Sequence, residues 1–194
     1  LGGSSFTGIT QNAGKAPTLF SARRFAATGT DRTINGFGFQ PDLIWIKARD
    51  KATNHYIQDS ARGAQNLVLT NATNAEYVND RIDGFVSDGV KITNDNEFND
   101  GSGSYSAIAW AWKAGGAPSG NGKKIVDGTE SNLTSGTDYS GVTNVKQSVN
   151  SSGGFSITQY TGNSSTAWIK HGLGASKPDF YTVKALGQTY DWGV

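Results

Sequence analysis

The chain has 194 residues, and 17 Lys and Arg stand against 16 Asp and Glu for a formal net charge of +1. The signs are mixed and basic residues meet only in pairs, Arg23-Arg24 and Lys123-Lys124, so no clustered field points to nucleic acid as a partner. Cysteine is absent, which removes disulfides and thiolate metal sites, and no apolar run approaches the roughly 20 residues of a membrane-spanning helix.

Twenty-six glycines, 11% aromatic residues and abundant Asn, Ser and Thr describe turns alternating with short strands. Residues 1–22 read as an N-terminal arm, rich in Gly, Ser and Asn. A first strand is predicted between Phe25 and Ile34, broken by a turn at Thr28-Gly29-Thr30-Asp31. Gly36, Gly38 and Pro41 then lead into the principal strand. There Leu43, Trp45 and Lys47 point one way and Ile44, Ile46 and Ala48 the other, as in a central strand covered on both faces.

Further strands are predicted at His55–Asp59 and Leu67–Leu69. Thr73 and Glu76 have capping-box spacing and predict one helical turn. Phe85-Val86 and Val90–Ile92 flank Ser87-Asp88-Gly89, a hairpin signal. Asn94–Ser104 is an Asn/Asp/Gly loop. Tyr105–Ala114 alternates Ala107, Ala109 and Ala111 against Ile108, Trp110 and Trp112. Such frequent short strands imply a sandwich occupying residues 23–115. Residues 116–153 read as a Gly/Ser/Asn-rich linker with short strands near Lys124–Val126 and Val142–Val145, and residues 154–194 as the start of a second, incomplete module.

The second module is inferred from a repeat. Thr28-Gly29, Gly36-x-Gly38, Pro41-Asp42 and Lys47-Ala48 recur in order as Thr161-Gly162, Gly172-x-Gly174, Pro178-Asp179 and Lys184-Ala185, with Tyr56 and Trp192 following. Self-similarity of this kind predicts one module used twice. Tyr181 and Val183 would then replace Ile44 and Ile46.

The segments PDLIWIKAR (Pro41–Arg49), DSARGA (Asp59–Ala64), SDGVKI (Ser87–Ile92), AWAWKAGG (Ala109–Gly116), YTGN (Tyr160–Asn163) and HGLG (His171–Gly174) together resemble a repeated domain of virion proteins. It is the domain of uncharacterised function in tail-fibre and other structural proteins of tailed bacteriophages, marine and cyanobacterial ones especially. The resemblance implies an all-β fold, a jelly-roll-like antiparallel β-sandwich of the concanavalin or laminin-G type, in tandem with the second copy truncated. It also implies a non-enzymatic structural role on the virion exterior, an appendage or the capsid surface. The implied partners are other virion proteins and copies of the chain itself, as trimers in fibres.

Three sharper readings accompany this one. Trp45, Trp110 and Trp112 could form an aromatic platform for a host surface glycan, since indole faces stack on pyranose C–H groups; sheet packing also produces tryptophan at period two. Asp95, Glu97 and Asp100 supply oxygen ligands at close spacing, the material of a calcium site and the one cofactor to weigh, although turn-forming Asn and Asp serve the backbone equally well. His55 and His171 occupy non-equivalent places in the repeat, and no base sits beside a nucleophile in the sequence, so no catalytic residue is assigned. Asp42 and Asp179 are equivalent, which suits a cap on the strand's entry turn.

Overall fold

The computed structural model describes residues 19–102, 105–174 and 177–194, and every regular element within them is a strand. Nine build a first unit: β1 (Phe20–Ala26), β2 (Arg32–Asn35), β3 (Leu43–Ala48), β4 (Tyr56–Asp59), β5 (Gly63–Leu69), β6 (Tyr77–Val78), β7 (Ile82–Val86), β8 (Gly89–Ile92) and β9 (Ser106–Trp112). A six-stranded sheet in the order β1-β9-β3-β4-β5-β6 packs on a three-stranded sheet, β2-β8-β7, with all neighbours antiparallel. The expected antiparallel β-sandwich is therefore present.

Its core follows from alternation on β3 and β9. Ile44, Ile46 and Ala48 lie opposite Ala111, Ala109 and Ala107, and all six are buried. A row of alanines on the inner face leaves room for large side chains, and Phe37, Phe98, Val90 and Ile92 complete the same cluster. Burying each isoleucine contributes about 1.5–3 kcal/mol.

Strand β1 begins inside the segment expected to be an arm: Phe20, Ser21 and Ala22 pair with Trp112, Ala111 and Trp110. The adjacent Arg23-Arg24 breaks the apolar alternation that would have announced it. The helical turn at Thr73–Glu76 does not form. The Glu76 carboxylate instead accepts a bond from Arg62 Nη1 at 2.7 Å, and the backbone runs on into β6.

A second unit follows, made of β10 (Lys123–Val126), β11 (Thr129–Asn132), β12 (Tyr139–Ser140), β13 (Val142–Asn150), β14 (Phe155–Gly162) and β15 (Trp168–Ile169). Its main sheet runs β11-β10-β13-β14, with β10 parallel to β13, and β12 pairs with β15. The expected linker is thus the middle of a sheet. The boundary at residue 154 divides β13 from its antiparallel partner β14.

The repeat survives as a turn and not as a strand. Gly36 and Gly38 have φ of 92° and 82°, and Gly172 and Gly174 have 81° and 91°, so both copies adopt the left-handed geometry that glycine permits. Beyond the turn the copies part. Ile44 and Ile46 are fully buried at the centre of the large sheet, whereas Tyr181 is 62% exposed and Val183, 45% exposed, makes only an isolated bridge to Gly193. Two like sandwiches are not what the described residues form. The C-terminal stretch lies back on the first unit, where Trp192 Nε1 donates to Leu69 O at 2.8 Å and Glu76 N to Leu186 O at 2.7 Å.

Candidate functional site

Because Ile44 and Ile46 face inward, Trp45 must face outward. β9 in register places Trp110 opposite Trp45 and Trp112 opposite Leu43 on that same outer face. All three tryptophans are half-buried, so the sandwich core does not contain them. The alanines of β9 take the core positions.

The three are not equivalent. Trp45 and Trp110 form a tilted pair with ring centroids 5.4 Å apart, and His55 lies 6.5 Å from Trp45. Burial first, and then the nearby Lys47 ammonium, lower the His55 pKa below its ordinary value, so the imidazole is neutral at pH 7. Lys47 Nζ is held by Lys51 O at 2.9 Å and Thr53 Oγ1 at 3.3 Å. The Trp45 indole N–H is buried and meets no acceptor among the described residues. Trp112 instead sits between Phe20, at 4.9 Å, and Phe155 of β14, stacked at 6.2 Å with 23° between planes. It joins the two units.

Beside this joint lies a cleft of about 560 Å³ lined by Gln40, Asp42, Lys113, Asp127, Asn150 and Ser152 among others. At its floor Asp42, 2% exposed, accepts bonds from Ser60 Oγ at 2.8 Å and Ala114 N at 2.8 Å. Its backbone N–H donates to Trp112 O, and its carbonyl accepts from Ser60 N. Burial raises the Asp42 pKa, against the opposing pull of Ser60, Ala114 and Gly116. One residue thus ties the start of β3 to the end of β9 and to the turn after β4. Asp127 is engaged as well, accepting from Ser151 N at 2.9 Å.

Asp95, Glu97 and Asp100 are not gathered around a common point. Asp95 Oδ1 accepts from Glu97 N at 2.6 Å and Phe98 N at 2.9 Å, which closes the loop on itself. Asp100 pairs with Lys51 at 2.5 Å and accepts from Ser102 N at 2.7 Å; the Lys51 bond is the main reason its pKa falls to about 2. Glu97 lies 3.9 Å from Arg81, as does Asp95. Among the described residues no three metal-ligating side chains form a group. The two histidines are likewise apart in function: His171 Nδ1 accepts from Leu173 N at 3.0 Å, within its own turn.

Two groups were passed over in the sequence. Asp88 does more than turn a hairpin: its carboxylate accepts from Gly36 N at 2.9 Å and Gly38 N at 2.6 Å, and its carbonyl from Gly36 N and Phe37 N. The available signal was a Gly-x-Gly pair, whose successive N–H groups form an anion-binding concavity. Arg62, in DSARGA, bridges Asp59 at 2.5 Å and Glu76 at 2.7 Å with almost no exposure.

A family model described as Domain of unknown function (DUF7483) matches residues 15–194, running without a break through both units. No curated protein matches the chain, and no solved structure does.

Proposed function

The chain belongs to the DUF7483 family, a domain of unknown function, and from its surface we propose that it is a structural, non-enzymatic segment of a bacteriophage virion. In this reading it belongs to a tail fibre or an exterior decoration and assembles with copies of itself through apolar patches and strand edges. The observation that carries the reading is the distribution of exposed apolar side chains. Phe180 is 72% exposed, Tyr181 62% and Tyr190 63%, and Tyr160 and Trp168 add to the same C-terminal third. Exposed apolar side chains that gather in a patch mark protein–protein interaction sites, and Phe180, Tyr181 and Val183 follow one another closely along the chain. Edge strand β6 adds Tyr77 and Val78, also exposed. The motif resemblance to virion proteins supplies the biological setting.

Sedimentation velocity over a hundredfold range of concentration tests the assembly. A concentration-dependent oligomer is expected, and the combined variant Phe180→Ser, Tyr181→Ser, Val183→Ser is expected to sediment as a monomer. A wild-type monomer at every concentration would overturn the proposal. Labelled antibody on intact particles addresses the setting.

A second reading has its own observation, the half-buried Trp45–Trp110 pair on the outer face. It makes this pair, without Trp112, a binding surface for a host glycan. Acrylamide quenching of indole emission, and its protection by host polysaccharide, separates the readings, because packing alone predicts no response to polysaccharide.

A further inference from the structure

Strand β14 lies at the edge of its sheet with β13 as its neighbour. Which of its backbone groups face that neighbour follows from β13. Val149 O accepts from Asp127 N, at the end of β10, at 2.9 Å. Successive residues of a strand direct their N–H and C=O groups to opposite sides, so Gln147 and Val149 turn towards β10, and Lys146, Ser148 and Asn150 turn towards β14. Their register partners there are Gln159, Ile157 and Phe155. Ser156, Thr158 and Tyr160 therefore direct their N–H and C=O groups away from β13, and among the described residues these groups meet no backbone partner.

Edge strands are ordinarily blunted by shortness, by charge or by a covering segment. Among the described residues, the outer strands β6, β12 and β15 have two residues each, and β2, β7 and β11 four or five. Strand β1 is longer, but it carries Arg23 and Arg24, and its outward Ala26 O is taken by Arg32 Nη2. Strand β14 has eight residues, Phe155 to Gly162, and none is charged. It is the unguarded edge, and its outward Tyr160 belongs to the exposed aromatic residues of the C-terminal third.

We propose that β14 pairs antiparallel with β14 of a second copy of the chain, across a two-fold axis at Thr158, so that two sheets become one. This deepens the assembly reading, on which it rests, by naming the edge and its register. Outward residues bond to outward residues across such a pair. Setting Thr158 opposite its own copy lets all three engage, with Ser156 opposite the partner's Tyr160, as the self-complementarity of a two-fold interface requires. With no charge on either strand, the copies approach without like-charge repulsion.

Hydrogen exchange and sedimentation on the full chain, dilute and concentrated, test the pairing. The amides of Ser156, Thr158 and Tyr160 are expected to exchange freely in the dilute monomer and to become protected on assembly, while those of Ile157 and Gln159 are protected in both. Thr158→Lys and Thr158→Glu each set like charges opposite one another at the axis and are expected to weaken self-association roughly fivefold. An equimolar mixture is expected to recover it, because each Lys then meets a Glu. Both variants lose the 3.0 Å bond from Gln147 Nε2 to Thr158 Oγ1, so the mixture isolates the charge, and a folding defect cannot produce the recovery. Protection of the three amides in the dilute monomer would show the edge already held within one chain and overturns the proposal. So does a mixture that associates no better than its components. An oligomer that leaves the three amides unprotected overturns this pairing and leaves assembly through Phe180, Tyr181 and Val183 standing, whereas a monomer at every concentration removes both.

Discussion

Asp42 shows how much one buried carboxylate can hold. Its oxygens satisfy Ser60 Oγ and Ala114 N, both removed from water, and leaving such groups unpaired costs about 1–3 kcal/mol each. Asp42→Ala is therefore expected to destabilise the chain by about 2–4 kcal/mol, measured by urea denaturation. Asp100 tests the electrostatics with a clearer sign. Its folded pKa is depressed to about 2 by Lys51, so the native state binds this proton less readily than the unfolded chain. The stabilisation is then complete above the ordinary value of 3.8 and fades as pH falls towards 2. Asp100→Asn should lower the melting temperature at pH 7, and the gap from wild type should close by pH 2. A gap that stays constant with pH would refute the role of ionisation. The loop also predicts the response to chelation. With Asp95 Oδ1 engaged by Glu97 N and Phe98 N, Asp100 paired with Lys51, and no group of three metal-ligating side chains among the described residues, melting is expected to be the same in excess calcium and in chelator.

At the scale of the element, the first sandwich was largely legible. The alternation Leu43 to Ala48 and Tyr105 to Trp112 assigned both the strands and their faces, because period two is the geometry of a strand. The strand near Val142–Val145 was read too, but its continuation to Asn150 was not, because a bulge intervened. In β13 the register shifts between Thr143 and Lys146, and Asn144 takes a φ of 52°, so Val142 and Val145, three apart, are both buried and the strict alternation that would have extended the strand is lost. The tryptophans posed a different difficulty: their face could be assigned from the pattern, but whether that face was covered depended on Phe20 and Phe155, distant in sequence. The repeat exaggerated the likeness of its copies, because Gly-x-Gly specifies a turn while a strand also needs neighbours. Turn glycines carry their own test. A Cβ on Gly89, where β8 pairs with β2, would lie 2.0 Å from Ile34 O. The obstacle is backbone and cannot rotate away, so Gly89→Ala is expected to cost about 3 kcal/mol or more, read from denaturant midpoints.

The two units meet at a joint that the family match also crosses, and the joint is where the molecule behaves as one body or two. Trp112 stacks on Phe155, Gly115 N donates to Ser148 Oγ at 2.9 Å, and a Cβ on Gly115 would lie 2.3 Å from Ile125 O. β9 belongs to the first core, while Ser148 and Phe155 belong to the second sheet. Interlocked contacts of this kind couple unfolding, because melting the second unit strips packing from Trp112. The second unit has a small core of its own, Leu133, Val142 and Val145 with Tyr139 and Ile169 beside it, and depends on the joint more than the first does. Phe155→Ala removes the stacked ring without touching the first core. It is expected to split a single calorimetric transition into two, with the second unit melting first and the first within a few degrees of wild type. One transition, displaced as a whole, would mean that cooperativity passes through the backbone crossing at Gly115 and that the aromatic stack is incidental.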